Sequence, residues 1–284
     1  MIRLGKRGTF ALTALGALAL GALAAPAIAA LTGFDPQGTD LLKRYQAPSW
    51  DHPLGTDELG RDVAMRLLYG ARVSLAVGLA AALAASTIGT AIGLIAGYLG
   101  GRVDRVLMRC TDGVLALPAL PVLIVLAAID PAKLGLPQGE AADLARIVLI
   151  VAAFGWPKVA RLVRGTALAL RERDFVRAAA ALGATRMRIM LAHVLPNCAT
   201  PILVATALAV GGTILYESVL SFLGLGIQPP TPSWGNMLTG AQETIWQAPW
   251  LAIWPGLAIL LAVASVNLLA DAIQDRFDPR ARGQ

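Results

Sequence analysis

The chain reads as an all-α integral membrane protein with six transmembrane helices, and three observations carry that reading. Of its 284 residues, 56% are hydrophobic and 15% charged, against about 25% charged in soluble domains, and mean hydropathy is +0.65. Six apolar segments are long enough, or nearly so, to cross a hydrocarbon core that needs roughly 20 residues. Lysine and arginine are unevenly shared between the two sets of connecting segments, 17 on the side of the N-terminus and 7 on the other.

The first segment runs from about Thr9 to Leu31 behind Arg3, Lys6 and Arg7. Its end, "APAIAA" at Ala25 to Ala30, mimics a signal-peptide cleavage site. The apolar run exceeds the usual 7–15 residues of a signal core, so an uncleaved anchor is expected. The second segment, Val73 to Leu99, carries Gly89, Gly93 and Gly97 at a four-residue spacing, preceded by Gly78, Ala82 and Ser86. Small residues at that spacing let helices approach closely, and tight packing within the chain is expected ahead of packing on a partner. The third, Val114 to Ile129, and the fourth, Ile147 to Val163, are short and contain Pro118, Pro121 and Pro157, which can kink or tilt a span. The fifth runs from Ala199 to Leu223 and the sixth from Trp250 to Ile273.

Cytoplasmic loops hold the excess of Lys and Arg, so both termini are expected inside. Net charge is +6 and the pI about 9.8. This distribution favours loaded inner loops over a nucleic-acid surface. Cys110 and Cys198 lie near the inner side, where thiols stay reduced. With no CxxC and two isolated histidines, His52 and His193, neither a metal nor a disulfide framework is indicated. There is no GxxxxGK[ST], GxSxG, HExxH or DFG, and the chain is read as non-catalytic, with no cofactor of its own.

Between the fourth and fifth spans lies "RDFVRAAAALGATRMRIMLAHVLPN", Arg173 to Asn197. From Arg171 onward it holds seven formal charges: Arg171, Glu172, Arg173, Asp174, Arg177, Arg186 and Arg188. Their burial would cost on the order of 15–25 kcal/mol, while each large apolar residue returns only about 0.3–0.6 kcal/mol. The segment stays out of the membrane. Phe175, Ala178, Ala179 and Leu182 share one helical face, with Asp174 where an N-cap would stand. Gly183 suits a left-handed C-terminal position. Thr185 can cap a second helix carrying Met187, Met190, Leu191 and Val194, and Pro196 is expected to end it. Two short helices joined by a glycine turn result. Pattern alone leaves open whether they form a solvated interfacial loop or a protein-docking element.

These residues resemble the EAA loop of permease subunits of ABC importers, written EAA-xxx-G-x9-I-x-L-P. Ala178, Ala179, Gly183, Leu195 and Pro196 match, while Arg177 replaces the glutamate and His193 the isoleucine. "HPLGTDELGRDVAMRLLYGARVSL" (His52 to Leu75) and "ESVLSFLGLGIQPPTPSWGNML" (Glu217 to Leu238) are similar to the entry region and last outer loop of the dipeptide, oligopeptide and nickel group, most like its C-type subunit. The resemblance covers nearly the whole chain. It implies a type I importer permease fold, with an anchor helix and outer entry loop over residues 1–72 and a five-helix core over 73–284 that includes the EAA loop at about 171–197. It further implies that Asp174, Phe175, Arg177, Ala178, Ala179, Leu182, Gly183, Ala184, His193, Leu195 and Pro196 couple to an ATPase. The implied partners are a second permease, two ATPase subunits that bind the ATP and magnesium, and an outer substrate-binding protein. Di- and oligopeptides are the implied cargo, with nickel, glutathione or oligosaccharides as alternatives. A self-contained secondary transporter and a membrane enzyme are the rival classes. The coupling pattern argues against the first and the lack of a nucleophile–base or metal pair against the second.

Four features remain. Glu217, roughly six residues or about 9 Å beyond the middle of the fifth span, either lines the translocation path or makes a structural hydrogen bond. Asp271 fits a solvated helix end. Trp234, Trp246, Trp250 and Trp254 fit an interfacial aromatic belt, or a platform for the binding protein. His52 stands near Asp51, Asp57, Glu58 and Asp62, and a nickel site there is a weak alternative to caps and turns.

Overall fold

The computed structural model describes residues 6–277 except 136 and 138. Among the described residues the regular secondary structure is helical, apart from an isolated bridge between Thr56 and Asp62.

Helix α1 (Lys6–Thr32) is followed by a loop that folds back on itself before α2 (Val63–Leu99). Asp62 caps α2 by accepting from the Met65 N–H at 2.8 Å, so the helix begins ten residues before the expected start of the second span. The division at residues 72 and 73 therefore falls inside one continuous helix. Asp57 explains the "GTDELG" turn: its carboxylate accepts the N–H groups of Leu59 and Arg61 at 2.9 and 3.0 Å and binds the Arg61 Nε at 2.7 Å.

The third expected span, Val114 to Ile129, is not one helix. It is broken into α3 (Gly101–Ala116) and α4 (Ala119–Ala128), bent by 83°. Pro118 causes the break: it has no N–H to continue α3, and it holds Leu117 extended, at φ −77° and ψ 137°. Helix α5 (Glu140–Arg171) is about twice the length of the expected fourth span because its charged C-terminal part stays helical. Arg161 pairs with Asp112 of α3 at 2.5 Å, and Arg164 pairs with Asp104 of the same helix. Helices α6 (Asp174–Ala181) and α7 (Arg186–Ile189) lead into α8 (Ala199–Phe222). Helix α9 (Ala241–Thr244) and α10 (Trp250–Phe277) complete the chain.

Four described helical runs are long and apolar enough to cross a bilayer: Arg7–Thr32, Val63–Leu99, Arg186–Phe222 and Trp250–Arg276. The bent α3–α4 pair makes a fifth candidate. Helix α5 is long enough at 32 residues, but its cations interrupt the apolar run.

Helix α2 forms the spine, packed most extensively on α5 and also on α8, while α10 joins α8 to α1. The glycine ladder makes the α2–α5 approach possible. A Cβ at Gly89 would stand 2.6 Å from the Trp156 carbonyl oxygen, and one at Gly97 would stand 2.7 Å from the Ala167 Cβ. A Cβ at Gly93 would overlap the Ala160 carbonyl oxygen. With backbone so close on the α5 side, dispersion contacts accumulate along three helical turns.

Candidate functional site

The loop from Arg171 to Asn197 folds as two short helices held against one end of the helical body. Val176, Ala179, Ile189, Met190 and Val194 are buried in one cluster with Leu94 of α2, Val159, Val163 and Ala167 of α5, and Cys198. Helix α6 closes with paired bonds, Ala184 N–H to Ala179 C=O at 3.1 Å and Gly183 N–H to Ala180 C=O at 3.0 Å. This is a Schellman ending. Gly183 has φ +83°, and a Cβ added there would meet nothing within 4 Å, so backbone conformation and not space requires glycine. Thr185 caps α7 by accepting from the Arg188 N–H at 3.3 Å.

Three expectations need correction here. Asp174 is the first helical residue of α6, and the cap position belongs to Arg173, which is extended and makes no side-chain cap bond. Asp174 still places a negative charge in the first turn, where the helix dipole favours it. Pro196 does not end the second helix. The chain widens into a π turn over Met190–Val194, with Leu195 N–H bonding Met190 C=O, and tightens into a 3-10 turn over Leu195–Cys198 before α8. Widening the turn accommodates the missing proline donor. His193 lies in the π turn and its carbonyl accepts from the Asn197 side-chain amide at 2.7 Å.

The third correction concerns the face expected from Phe175, Ala178, Ala179 and Leu182. Val176 and Ala179 face the body, whereas Phe175 is 43% exposed and Leu182 88% exposed. On α7 and the turn after it, Ile189, Met190 and Val194 are buried while Met187 and Leu191 remain exposed. The loop thus presents an uncovered apolar strip beside Arg173, Arg177, Arg186 and Arg188, all exposed. Arg177 bonds Glu172 at 2.6 Å, and this holds the Glu172 carboxyl below its ordinary value. The structure therefore pairs the unusual arginine within the chain.

At the opposite end of α8, Glu217 is fully buried. Ser74 of α2 donates to its carboxylate at 3.0 Å and Ser221 at 2.8 Å. Each serine oxygen in turn accepts a loop N–H, Ser74 from Trp234 and Ser221 from Ile227, both at 3.1 Å. Glu217 thus makes structural hydrogen bonds and is not among the residues lining the cavity between α5 and α8. The network pins the loop between α8 and α10 to the helices. Trp234 leaves the expected aromatic belt: it is fully buried, and its indole donates to the Leu67 carbonyl at 3.1 Å. Sequence reasoning missed this anchor. The available signal was the cluster of Ser218, Ser221 and Glu217 in an apolar helix, which needed polar partners. Trp246 is exposed, and Trp250 bonds the Thr56 carbonyl at 3.2 Å.

Asp57, Glu58 and Asp62 near His52 are engaged in structure. His52 Nδ1 lies 2.9 Å from Asp62, which also caps α2. Among the described residues no group of three or more His, Cys, Asp or Glu side chains converges as a metal site would. Asp271 is exposed near the end of α10.

A groove of about 840 Å³ runs between α5 and α8. Its wall on α8 extends from Thr200 to Tyr216, a rise of about 24 Å, most of the roughly 30 Å of a hydrocarbon core. Its wall on α5 is the face of Phe154, Lys158 and Leu162. The lining is mostly apolar, with Tyr216 and Gln274 among its few polar groups.

Comparison with known proteins agrees with these features. The model of the family described as "binding-protein-dependent transport system inner membrane component" matches residues 89–283. A putative peptide permease protein of Brucella suis is 39% identical over 250 residues, covering 87% of this chain and 80% of its own length. Glutathione transport system permease proteins GsiD of Shigella flexneri and Escherichia coli are 43% and 42% identical over 236 residues, covering 83% of this chain and 75% of theirs. An all-helical body, a docked two-helix loop and a match over most of the chain lead to one conclusion: the protein belongs to the inner membrane components of binding-protein-dependent transport systems, as a permease subunit of an ABC importer.

Proposed function

We propose that this chain forms half of a translocation pathway for di- and oligopeptides and couples it to separate ATPase subunits through α6 and α7. The observation that carries the proposal is the divided loop. One side is buried in the α2–α5–α8 cluster, and the other leaves Phe175, Leu182, Met187 and Leu191 uncovered among four arginines. A surface of that kind suits a partner with an apolar groove and an acidic rim. A force applied to Phe175 or Leu182 would pass to Val176 and Ala179, and from there to α5 and α2.

In this reading both termini and the loop are cytoplasmic. A second permease faces the α5–α8 groove, two ATPases bind the ATP and magnesium, and a binding protein delivers cargo to the outer face. ATP binding draws the two coupling loops together, and the two permeases rock so that the shared cavity alternates between the two sides. Asp174, Phe175, Arg177, Ala178, Ala179, Leu182, Gly183, Ala184, His193, Leu195 and Pro196 carry the coupling. The names of the relatives support peptide cargo, and the GsiD relatives favour glutathione within that class.

The test is copurification of a tagged chain, followed by uptake in proteoliposomes with and without the ATPase partners. Uptake of a tripeptide that needs both ATP and the ATPases is expected. Uptake sustained by an ion gradient without them would overturn the proposal.

A further inference from the structure

Three cations follow one another on the inner part of α5: Lys158, Arg161 and Arg164. Arg161 and Arg164 are neutralised by Asp112 and Asp104 of α3. Lys158 has no ion pair or hydrogen bond among the described residues and lines the α5–α8 groove, one i, i+3 step around the helix from Arg161. Among the described residues it is the one formally charged member of that lining.

Its depth follows from two contacts. A Cβ at Gly155 would meet Ala85 of α2 at 2.9 Å, and the neighbouring Ser86 bonds Thr206 of α8 at 2.6 Å. Gly155 therefore lies level with Thr206. Lys158, about 4.5 Å further along α5, lies toward the Thr200 end of the groove but still within the length of α8. A lysine at that depth is costly unless it meets water in a cavity or an opposite charge. The chain places α3 carboxylates beside its two neighbours and, among the described residues, none within ion-pair distance of Lys158.

From this geometry we infer that Lys158 is the contact for an anionic group of the cargo, a carboxylate, as it passes through the groove. The inference rests on the transport role proposed above and deepens it. A peptide with a free C-terminus supplies such a carboxylate, and the apolar walls accept its side chains without competing for the charge. A groove of about 840 Å³ is within the range of roughly 300–1,000 Å³ that binds small molecules. The Tyr216 and Gln274 side chains line the same groove, available for the peptide amides.

The experiment uses the whole complex in proteoliposomes, with excess binding protein preloaded with either trialanine or trialanine amide. Selectivity of the binding protein itself is thereby held constant between permease variants. The readout is the ratio of maximal uptake rates, acid over amide, for wild type, Lys158→Gln and Lys158→Arg. The wild-type ratio is expected to fall about tenfold in Lys158→Gln, the loss of one charge-assisted hydrogen bond, and to be kept within about threefold in Lys158→Arg. An unchanged ratio in Lys158→Gln overturns the inference, because the ammonium then reaches lipid headgroups or a carboxylate of the second permease. A parallel fall of both probes also overturns it, by assigning Lys158 a structural role. Failure of the wild-type complex to import either probe overturns the peptide reading itself, and this inference with it.

Discussion

Substituting Gly93 tests whether the α2–α5 contact is set by the glycine ladder. A Cβ there would overlap the Ala160 carbonyl oxygen and stand 2.9 Å from the Val163 Cβ and 3.0 Å from the Arg164 nitrogen. Ordinary carbon contacts begin near 3.5 Å, so α5 would have to retreat by about half an ångström or more. The obstacles include backbone atoms, which have no rotamer to escape into. Overpacking of this kind costs about 1–3 kcal/mol, against a gain of about 1 kcal/mol from replacing glycine in a helix. The net for Gly93→Ala is a loss of up to about 2 kcal/mol, and Gly93→Val loses more. Gly165 on α5 supplies the control, because a Cβ added there would meet nothing within 4 Å. Gly165→Ala is then neutral or stabilising by up to about 1 kcal/mol. The assay is thermal unfolding of the purified complex, where each kcal/mol moves Tm by about 2–4 °C in a protein of this size. Equal Tm values for Gly93→Ala and Gly165→Ala would refute the packing argument.

Other perturbations have equally definite outcomes. Glu217→Ala leaves the Ser74 and Ser221 hydroxyls without their acceptor and should destabilise the complex by about 3–5 kcal/mol, read as lower Tm and faster proteolysis of the 224–249 loop. A loop no more sensitive than in wild type would count against the network. Gly183→Ala should cost about 1–2 kcal/mol through its left-handed φ although space is open, with Gly183→Asn milder; equal Tm shifts for the two would argue against strain. Leu182→Asp, a change at an 88% exposed position, should leave Tm within about 2 °C while reducing ATPase copurification at least about fivefold, as loss of an interface anchor does. Undiminished copurification would remove α6 from the interface. Acidification should weaken the Arg177–Glu172 pair: the Glu172 carboxyl is held below its ordinary value by Arg177, so the pair's contribution is present above that value and is lost as pH falls through the lowered one. Carbon-13 chemical shifts of a Glu172 label would show titration at a lower pH in wild type than in Arg177→Gln.

Much of this molecule is legible from local chemistry. The bilayer demands apolar runs of a minimum length, and charge excludes Arg171–Asn197 from lipid, so the membrane class and the outlying loop follow from residue types alone. Gly183 and Thr185 are equally local: a left-handed turn and a hydroxyl cap depend on neighbours a few residues away. The family pattern around Ala178, Ala179 and Gly183 is likewise carried by the residues themselves. What the tertiary structure decided is every matter of facing and partnership. Which edge of α6 docks depends on how the α5 end presents the chain, and that choice buries Val176 and leaves Leu182 open. Glu217 and Trp234 are separated from Ser74 and Leu67 by more than a hundred residues, so their bonds exist only once α2 and α8 are side by side. Lys158 differs from Arg161 and Arg164 only in direction, because rotation about the α5 axis turns two of them to the acids of α3 and one into the groove. Residue type states what a side chain can do; only packing states what it meets.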